Sequence, residues 1–316
     1  MKKVNIIAEC CQNHNGDKET LKKMIHTAAE HGADYVKIQA IRSKELSKRD
    51  RFEEGKIDSE GIIQVIKRPY ESEYQRLKKL DLSLNEESWF VEECKKAGVK
   101  SMTTIFTRNS INEIEKMNYD AIKIASYDCA SFPLLHDIKN KWNKIFISTG
   151  ATYDKEIEQA AKILKGTDFE FLHCVTIYPT GLENLHLNRI KYLKKYSNFV
   201  GYSDHSKPSE TQLWASKIAL AIGASNIERH YTILKEHETK DGPVSINPDM
   251  LAELRMFADL DNEEQWSMIK RDFPNWEITL GKQNRELSKE ELLNRDYYRG
   301  RFCNYLNGEI KFNWEI

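Results

Sequence analysis

The sequence predicts an α/β protein: a closed (β/α)8 TIM barrel over residues 1–260, followed by a short C-terminal extension over 261–316. Two observations predict it. Eight short apolar, β-branched runs alternate with helical stretches, the pattern of buried parallel strands joined by crossover helices. Side chains able to do chemistry recur at the C-terminal ends of those runs, which is where barrel enzymes keep theirs.

The runs are VNIIAE (4–9), YVKIQA (35–40), VKSMTTIF (99–106), AIKIAS (121–126), KIFIST (144–149), FEFLHC (169–174), FVGYSD (199–204) and NIERHYT (226–232). Between the first two, Leu21, Met24, Ile25, Ala28 and Ala29 recur at helical spacing and give one apolar face, with Gly32 suited to stop the helix. Trp89, Phe90 and Cys94 mark a helix before Gly98, and Ile157, Ala160, Ala161 and Leu164 another before Gly166. The stretch 207–223 reads as one helix with Pro208 near its start. An open doubly wound sheet is the competing fold. It is disfavoured because ECCQNHNGD, after the first run, lacks the glycine spacing of a dinucleotide-binding turn. Two segments fall outside the alternation. Residues 41–81 are long and charged, and should form a lid or a subunit contact on the active face. Residues 261–316 form a polar, Trp-bearing tail too short for a sizeable second domain.

Composition limits the function classes. The 316 residues are 40% hydrophobic and 31% charged, an ordinary globular balance, with a formal net charge of −1. No whole-molecule field draws the chain to nucleic acid or an anionic membrane, so any anionic ligand needs a local cluster of cations. The first apolar run is short and meets Glu9 at once, a poor signal peptide, and no run of about 18 apolar residues could span a bilayer. The six cysteines form no CxxC pair and read as reduced thiols. The expectation is a cytoplasmic protein.

The candidate site follows from the strand ends. Glu9 ends the first run; Lys37 and Gln39 share a face of the second; Thr104 and Thr107 end the third. Lys123, Ser126 and Asp128 follow on the fourth, Ser148, Thr149 and Gly150 on the fifth, and His173, Thr176 and Tyr178 on the sixth. Ser203, Asp204 and His205 end the seventh; Glu228 and His230 lie two apart on the eighth, and Asp241 follows in a loop. Each has an ordinary structural reading, Asp204 as a helix cap among them. Repetition on eight runs weakens those readings, because polar groups converging on one mouth are costly to bury without partners or a ligand. Two imidazoles from neighbouring strands, His205 and His230, suit a divalent metal such as Mn²⁺, Zn²⁺ or Fe²⁺. Lys37 and Lys123, with Ser and Thr hydroxyls, suit a phosphate and a carboxylate. Together these suggest a polarised carbonyl held against a phosphorylated nucleophile.

The chain resembles the sialic acid synthase family, the phosphoenolpyruvate (PEP)-dependent synthases of N-acetylneuraminate, legionaminate and pseudaminate. The motifs that carry the resemblance run colinearly over about residues 4–260. They are AECCQNHNGD (8–17), GADYVKIQ (32–39), TTIFT (103–107), IKIASYD (122–128), ISTGA (147–151), LHCVTIYPT (172–180), GYSDHS (201–206), IERHYT (227–232) and SINPD (245–249). The resemblance implies His205 and His230 as ligands of Mn²⁺ or Mg²⁺, and Glu9 as a carboxylate near the aldehyde. It implies Lys37, Thr104, Lys123, Ser126 and Ser203 around PEP, and Gln39, Tyr178 and Asp241 around an open-chain aldose. The implied product is a 3-deoxy-2-keto sugar acid, and the implied assembly a homodimer.

The chain departs from the family pattern in four places. Cys10 and Cys11 replace Ile and Gly of the family's opening motif. Asp128 stands where Glu is frequent, and Thr176 where Asn is common. No counterpart is expected of the family's C-terminal antifreeze-like domain, which lends an arginine to the partner's site; only a stretch resembling its linker stands at 286–310. Arg299 or Arg301 is therefore expected to reach an active site, its own or the partner's. Two alternatives stay open: a Schiff-base aldolase using Lys37 or Lys123, and a non-catalytic relative that keeps the barrel.

Overall fold

A computed structural model describes residues 4–306 and 308–316. Of the sequence readings, the start of the N-terminal stretch (1–3) and Asn307 of the linker-like stretch lie outside those residues. Eight parallel strands close into a barrel in sequential order: β1 (Asn5–Cys11), β2 (Tyr35–Gln39), β3 (Lys100–Ile105), β4 (Ala121–Ile124), β5 (Ile145–Ser148), β6 (Phe169–His173), β7 (Val200–Asp204) and β8 (Asn226–His230), with β8 pairing back onto β1. Seven fall within their runs and β1 extends its run by two residues to Cys11, so the closed barrel is the fold and the open sheet is not.

The strand period of two sorts side chains between two cores. Outward-facing Ile6, Ile38, Ile122, Ile147 and Ile227 pack against the surrounding helices, including the Leu21, Met24, Ile25 and Ala28 face of Lys18–Glu30. Inward-facing Ile7, Tyr35, Met102, Ala121, Phe146 and Leu172 form a separate apolar layer inside the barrel. Two residues further along the same faces, the inward positions turn polar. Glu9 pairs in register with Lys37 and His230, Thr104 with Lys123, and Ser203 with Glu228. The apolar layer plugs the barrel and forms the floor of a polar mouth at the C-terminal ends of the strands.

One helix differs from expectation. The stretch 207–223 is broken into Pro208–Thr211 and Trp214–Ala221, with Gln212 and Leu213 both left-handed (φ 49° and 64°) between them. The break lets Leu213 enter the core and brings Ser216 to donate to Asp204 at 2.5 Å. Asp204 is not a helix cap. It is a fully buried brace, paired with Arg229 at 2.7 Å and accepting from the Ser206 amide.

The two segments outside the barrel meet over the mouth. Segment 41–81 carries a short hairpin (Lys56–Ile57 with Ile63–Val65) and the helix Tyr70–Lys78. The tail carries the helix Lys289–Tyr298 and a second hairpin. They are stitched by Ser47 Oγ donating to the Gly300 carbonyl at 2.5 Å. Arg49 donates to the Arg299 and Tyr297 carbonyls at 3.0 and 2.6 Å, and the Cys303 amide to Glu45 at 2.9 Å. The same tail grips the barrel rim. Asn294 donates to the Thr176 carbonyl at 2.7 Å, and Arg295 to Ala151 at 2.6 Å while paired with Glu156. Segment 41–81 covers the mouth as a lid would, held by the tail of its own chain. Among the described residues no helix is long and apolar enough to cross a membrane, and all six cysteines are unpaired and buried.

Candidate active site

A cavity of about 410 Å³ opens at the strand ends beneath this roof. Glu9, Lys37, Gln39, Thr104, Lys123, Ser126, Asp128, Thr176, Tyr178, His205, His230 and Asp241 all line it. Of the other strand-end candidates, Ser148 and Glu228 also line it, whereas Thr107, Thr149, Gly150, His173 and Asp204 do not, and Ser203 sits one layer behind, its hydroxyl donating to Glu228 at 2.9 Å.

The floor is a network of compensated charge. Lys37 pairs with Glu9 and donates to Thr104 Oγ1 at 3.1 Å; Lys123 pairs with Glu228, whose other oxygen lies 4.0 Å from Lys37. All four side chains are nearly or fully buried. Isolated charges there would be prohibitive, so the pairing is what allows them. Burial pulls the Lys37 ammonium down to about 7, with Lys123 pushing the same way and Glu228 opposing. Burial alone would raise Glu228, but Lys123 and Lys37 outweigh it and hold that carboxyl well below the usual range. Ser148 Oγ and Thr176 Oγ1, also on the cavity wall, are buried without hydrogen-bond partners. Unsatisfied hydroxyls beside lysines are ready donors for an oxyanion.

The donor side of the cavity differs in detail from the sequence expectation. The groups whose ligand atoms lie within 4.8 Å of one another are Cys11, His230 and Asp241. Cys11 Sγ donates to Asp241 Oδ2 at 3.0 Å, and His230 Nδ1 lies 3.8 Å from the same oxygen, buried and without a hydrogen-bond partner. An orphaned imidazole nitrogen facing a carboxylate and a thiol fits a divalent cation, and the mixed S, N, O set suits a transition metal. His205 flanks this group, its ring 5.7 Å from that of His230. Its Nδ1 lies 2.8 Å from the Val175 carbonyl and its Nε2 3.0 Å from the Tyr178 hydroxyl. Donation from Nδ1 to that carbonyl fixes Nε2 as the nitrogen able to bind a cation or accept from Tyr178. Burial keeps both imidazoles neutral at neutral pH, His205 down to about 3. Burial opposes ionisation of Asp241, but His230, the Cys11 thiol and Lys240 hold its carboxyl low. Cys11 adopts φ 47°, a left-handed conformation costly for a non-glycine residue. Its amide donates to Glu9 Oε1 at 2.6 Å, so the strained turn also aims the Glu9 carboxylate.

Sequence reasoning left several wall residues unassigned. Glu228 shows the same alternation as His230 and was legible as a strand-end carboxylate, though not as the partner of Lys123. Arg68, Arg76, Lys240 and Tyr298 also line the cavity. They come from lid, loop and tail, where no periodicity announces an orientation. Of the two tail arginines, Arg301 lines the cavity of its own chain, and Arg299 lies 4.8 Å over the Trp314 ring instead. Asp128 faces the cavity with one oxygen already taken by Ser131 (2.7 Å) and Asn313 (3.0 Å).

The NeuB family profile matches residues 24–265. The chain belongs to the NeuB family. This NeuB-family chain is 32% identical over 265 residues to the N,N'-diacetyllegionaminic acid synthase of Campylobacter jejuni, covering 79% of this chain and 74% of that protein. It is 29% identical over 260 residues to the N-acetylneuraminate-9-phosphate synthase of Mus musculus, covering 79% and 67%. Among solved structures it resembles an N-acetylneuraminic acid synthetase from Leptospira borgpetersenii, with TM-score 0.70 and 28% identity over 93% of this chain and 91% of that one. The motifs that carried the resemblance in the sequence are thus those of a family whose members include sialic, legionaminic and pseudaminic acid synthases.

Proposed function

We propose that this NeuB-family chain condenses PEP with an open-chain aldose, releasing phosphate and giving a 3-deoxy-2-keto sugar acid. The observation that supports it best is the shared cavity: two buried lysines among unsatisfied hydroxyls stand beside a thiol, imidazole and carboxylate group.

In this reading Lys37, Lys123, Thr104, Ser126 and Ser148 hold the phosphate and carboxylate of PEP, with Ser203 positioning Glu228. C3 of PEP forms a bond to the aldehyde carbon with the electrons of its double bond, leaving C2 positive, and the aldehyde oxygen takes a proton from solvent. Water adds at C2 and loses one proton; the C2–O bond to phosphate then breaks with its electron pair leaving on phosphate, while the C2 hydroxyl gives its proton to solvent and becomes the keto group. Glu9, aimed by the Cys11 amide and paired with Lys37, accepts the proton of the adding water, and the Lys37 ammonium offsets the negative charge at that end of the cavity. His230, Asp241 and Cys11, with His205 beside them, would hold a divalent cation, Mn²⁺ or Mg²⁺ by family resemblance. When bound, it supplies carbonyl polarisation. The thiol favours a softer ion than Mg²⁺. Gln39, Tyr178, Thr176 and Asp128 face the acceptor, and the lid and tail exclude bulk water.

The test is PEP consumption and product mass with a panel of aldoses and Mn²⁺. Sugar-dependent PEP loss, abolished by EDTA, is the expected result. The Schiff-base alternative draws on the same observation that lowers Lys37 to about 7. Borohydride with a keto substrate would trap an imine in that case and nothing in the proposed one.

A further inference from the structure

The donor atoms of the Cys11, His230 and Asp241 group come from separate stretches of chain: the end of β1, the end of β8, and the loop 232–245 that follows it. One buried side chain joins all three stretches. Asn13 lies two positions beyond Cys11, is 1% exposed and does not line the cavity. Its Nδ2 donates to the Tyr231 carbonyl, next to His230, and to Ser245 Oγ, both at 3.0 Å. Ser245 Oγ in turn donates to the Asp241 carbonyl at 2.7 Å. The direction of this chain of bonds is fixed by its members. A carbonyl can only accept, so the nitrogen of the Asn13 amide must face Tyr231; the Ser245 hydroxyl accepts from that nitrogen and keeps its one proton for Asp241. The backbone closes the same corner. The Asn13 amide donates to Cys10 at 2.8 Å, that of Tyr231 to Glu9 at 2.8 Å, and that of Ile246 to His230 at 2.7 Å.

We infer that Asn13 is a positioning residue: through Tyr231 and Ser245 it holds the Cys11 turn, His230 and Asp241 in one arrangement before a cation arrives. The inference rests on the reading of that group as a cation site and adds the residue that assembles it. The strand ladder does not set the spacing. Register with β2 slips between Glu9 and Cys11, Cys11 is left-handed, and Asp241 lies in a loop. A neutral buried amide supplies the missing link without adding charge beside the donors. Other side chains of the same turn are occupied differently: His14 Nδ1 accepts from the Gly16 amide at 3.0 Å, and Asp17 caps the helix Lys18–Glu30. Asn15 reaches the loop only at the surface, donating to the Glu238 carbonyl at 3.0 Å.

The test titrates the metal-free protein with Co²⁺, read by its absorption spectrum, and measures amide exchange before the metal is added. Asn13→Ala should weaken Co²⁺ binding by about tenfold or more, as for other groups that orient metal ligands. Ser245→Ala should weaken it too, and Ser245→Thr, which keeps the hydroxyl, should stay within about threefold of the parent. The Asn13→Ala/Ser245→Ala double variant should lose less than the two single losses combined, because both act in one chain of bonds. Asn15→Gly, which frees the surface contact alone, should bind as the parent does. Unchanged affinity in folded Asn13→Ala, an equal loss in Asn15→Gly, a Ser245→Thr loss as large as that of Ser245→Ala, or fully additive losses overturns the inference. In the metal-free protein, Asn13→Ala should speed amide exchange at 236–245 while β1 and β8 stay protected. A parent that binds no Co²⁺, with that local acceleration present, sinks the cation reading and leaves the positioning role standing. No acceleration at 236–245 overturns the positioning role whatever the metal does.

Discussion

The floor and the roof of the cavity solve the burial of charge in opposite ways. At the floor, strand alternation places Glu9, Lys37, Lys123 and Glu228 on adjacent inward positions, and every charge is matched before any ligand arrives. At the roof, Arg68, Arg76, Lys240 and Arg301 are gathered from the lid, the loop after β8 and the tail, and Arg76 and Arg301 share one carboxylate, Glu73. A matched network is rigid and can be reorganised only by a ligand that competes for both partners. One assembled from separate segments depends on the lid and tail staying together. In the proposed reading the floor holds PEP and the roof closes over the acceptor.

The largest effect should come from breaking the floor. Lys37→Met removes a cation whose charge faces the reacting anion and leaves Glu9 unpaired. Sugar-dependent PEP consumption should fall by about 10²–10³-fold or more. The unpaired, buried Glu9 should cost about 3–5 kcal/mol of stability, so the comparison is made on variant protein that circular dichroism shows to be folded. A fall of less than tenfold would mean that Lys37 is a structural partner of Glu9 and nothing more.

The donor group offers the next test. Cys11→Gly relieves the left-handed backbone and deletes the thiol. Metal affinity should drop by about tenfold or more, by analogy with the loss of groups that support a metal site. With Co²⁺ in place, the parent protein should show a thiolate-to-cobalt charge-transfer band that the variant lacks. An unchanged spectrum would leave His205 and His230 as the ligands without Cys11.

The pH profile tests the floor's charge state. Burial lowers Lys37 to about 7, so its ammonium form is populated below that pH and lost above it. The kcat/KM for PEP in the free enzyme should therefore decline as pH rises through about 7. A flat profile up to pH 9 would show that the Glu9 and Glu228 carboxylates keep Lys37 charged.

The smallest effect on global stability belongs to the roof. Arg49→Ala removes two hydrogen bonds between lid and tail, a loss of about 1–2 kcal/mol. Amide exchange should accelerate in 41–81 and 289–305 while the barrel strands keep their protection, and the KM for sugar should rise more than that for PEP. Uniform acceleration across the barrel would show that the roof is part of the core.

The same contrast explains what was legible in the sequence. The barrel strands and their polar ends could be read because β periodicity assigns Lys37, Gln39, Glu228 and His230 to one face, whatever packs outside. The pairing of Lys123 with Glu228 could not be read, because it joins strands 105 positions apart. Nor could Cys11, whose inward donor role depends on its own left-handed backbone at the end of β1. The broken helix at Gln212–Leu213 was hidden because its apolar residues keep helical spacing while the backbone does not. Arg68 lies in a loop and Arg76 on a short polar helix of the lid, and their contacts with Tyr298, Glu73 and Gln12 orient them. The sequence offers Arg299 or Arg301 to an active site, its own or the partner's, without choosing between them; of the two, Arg301 lines the cavity.

The most direct test of the proposed condensation uses uniformly carbon-13-labelled PEP, Mn²⁺ and the aldose panel, with mass spectrometry of the products. The expected result is a sugar acid carrying all the PEP carbons, formed one for one with inorganic phosphate and only when an aldose is present. Labelled pyruvate without any labelled sugar acid, from protein that binds both PEP and metal, would contradict it.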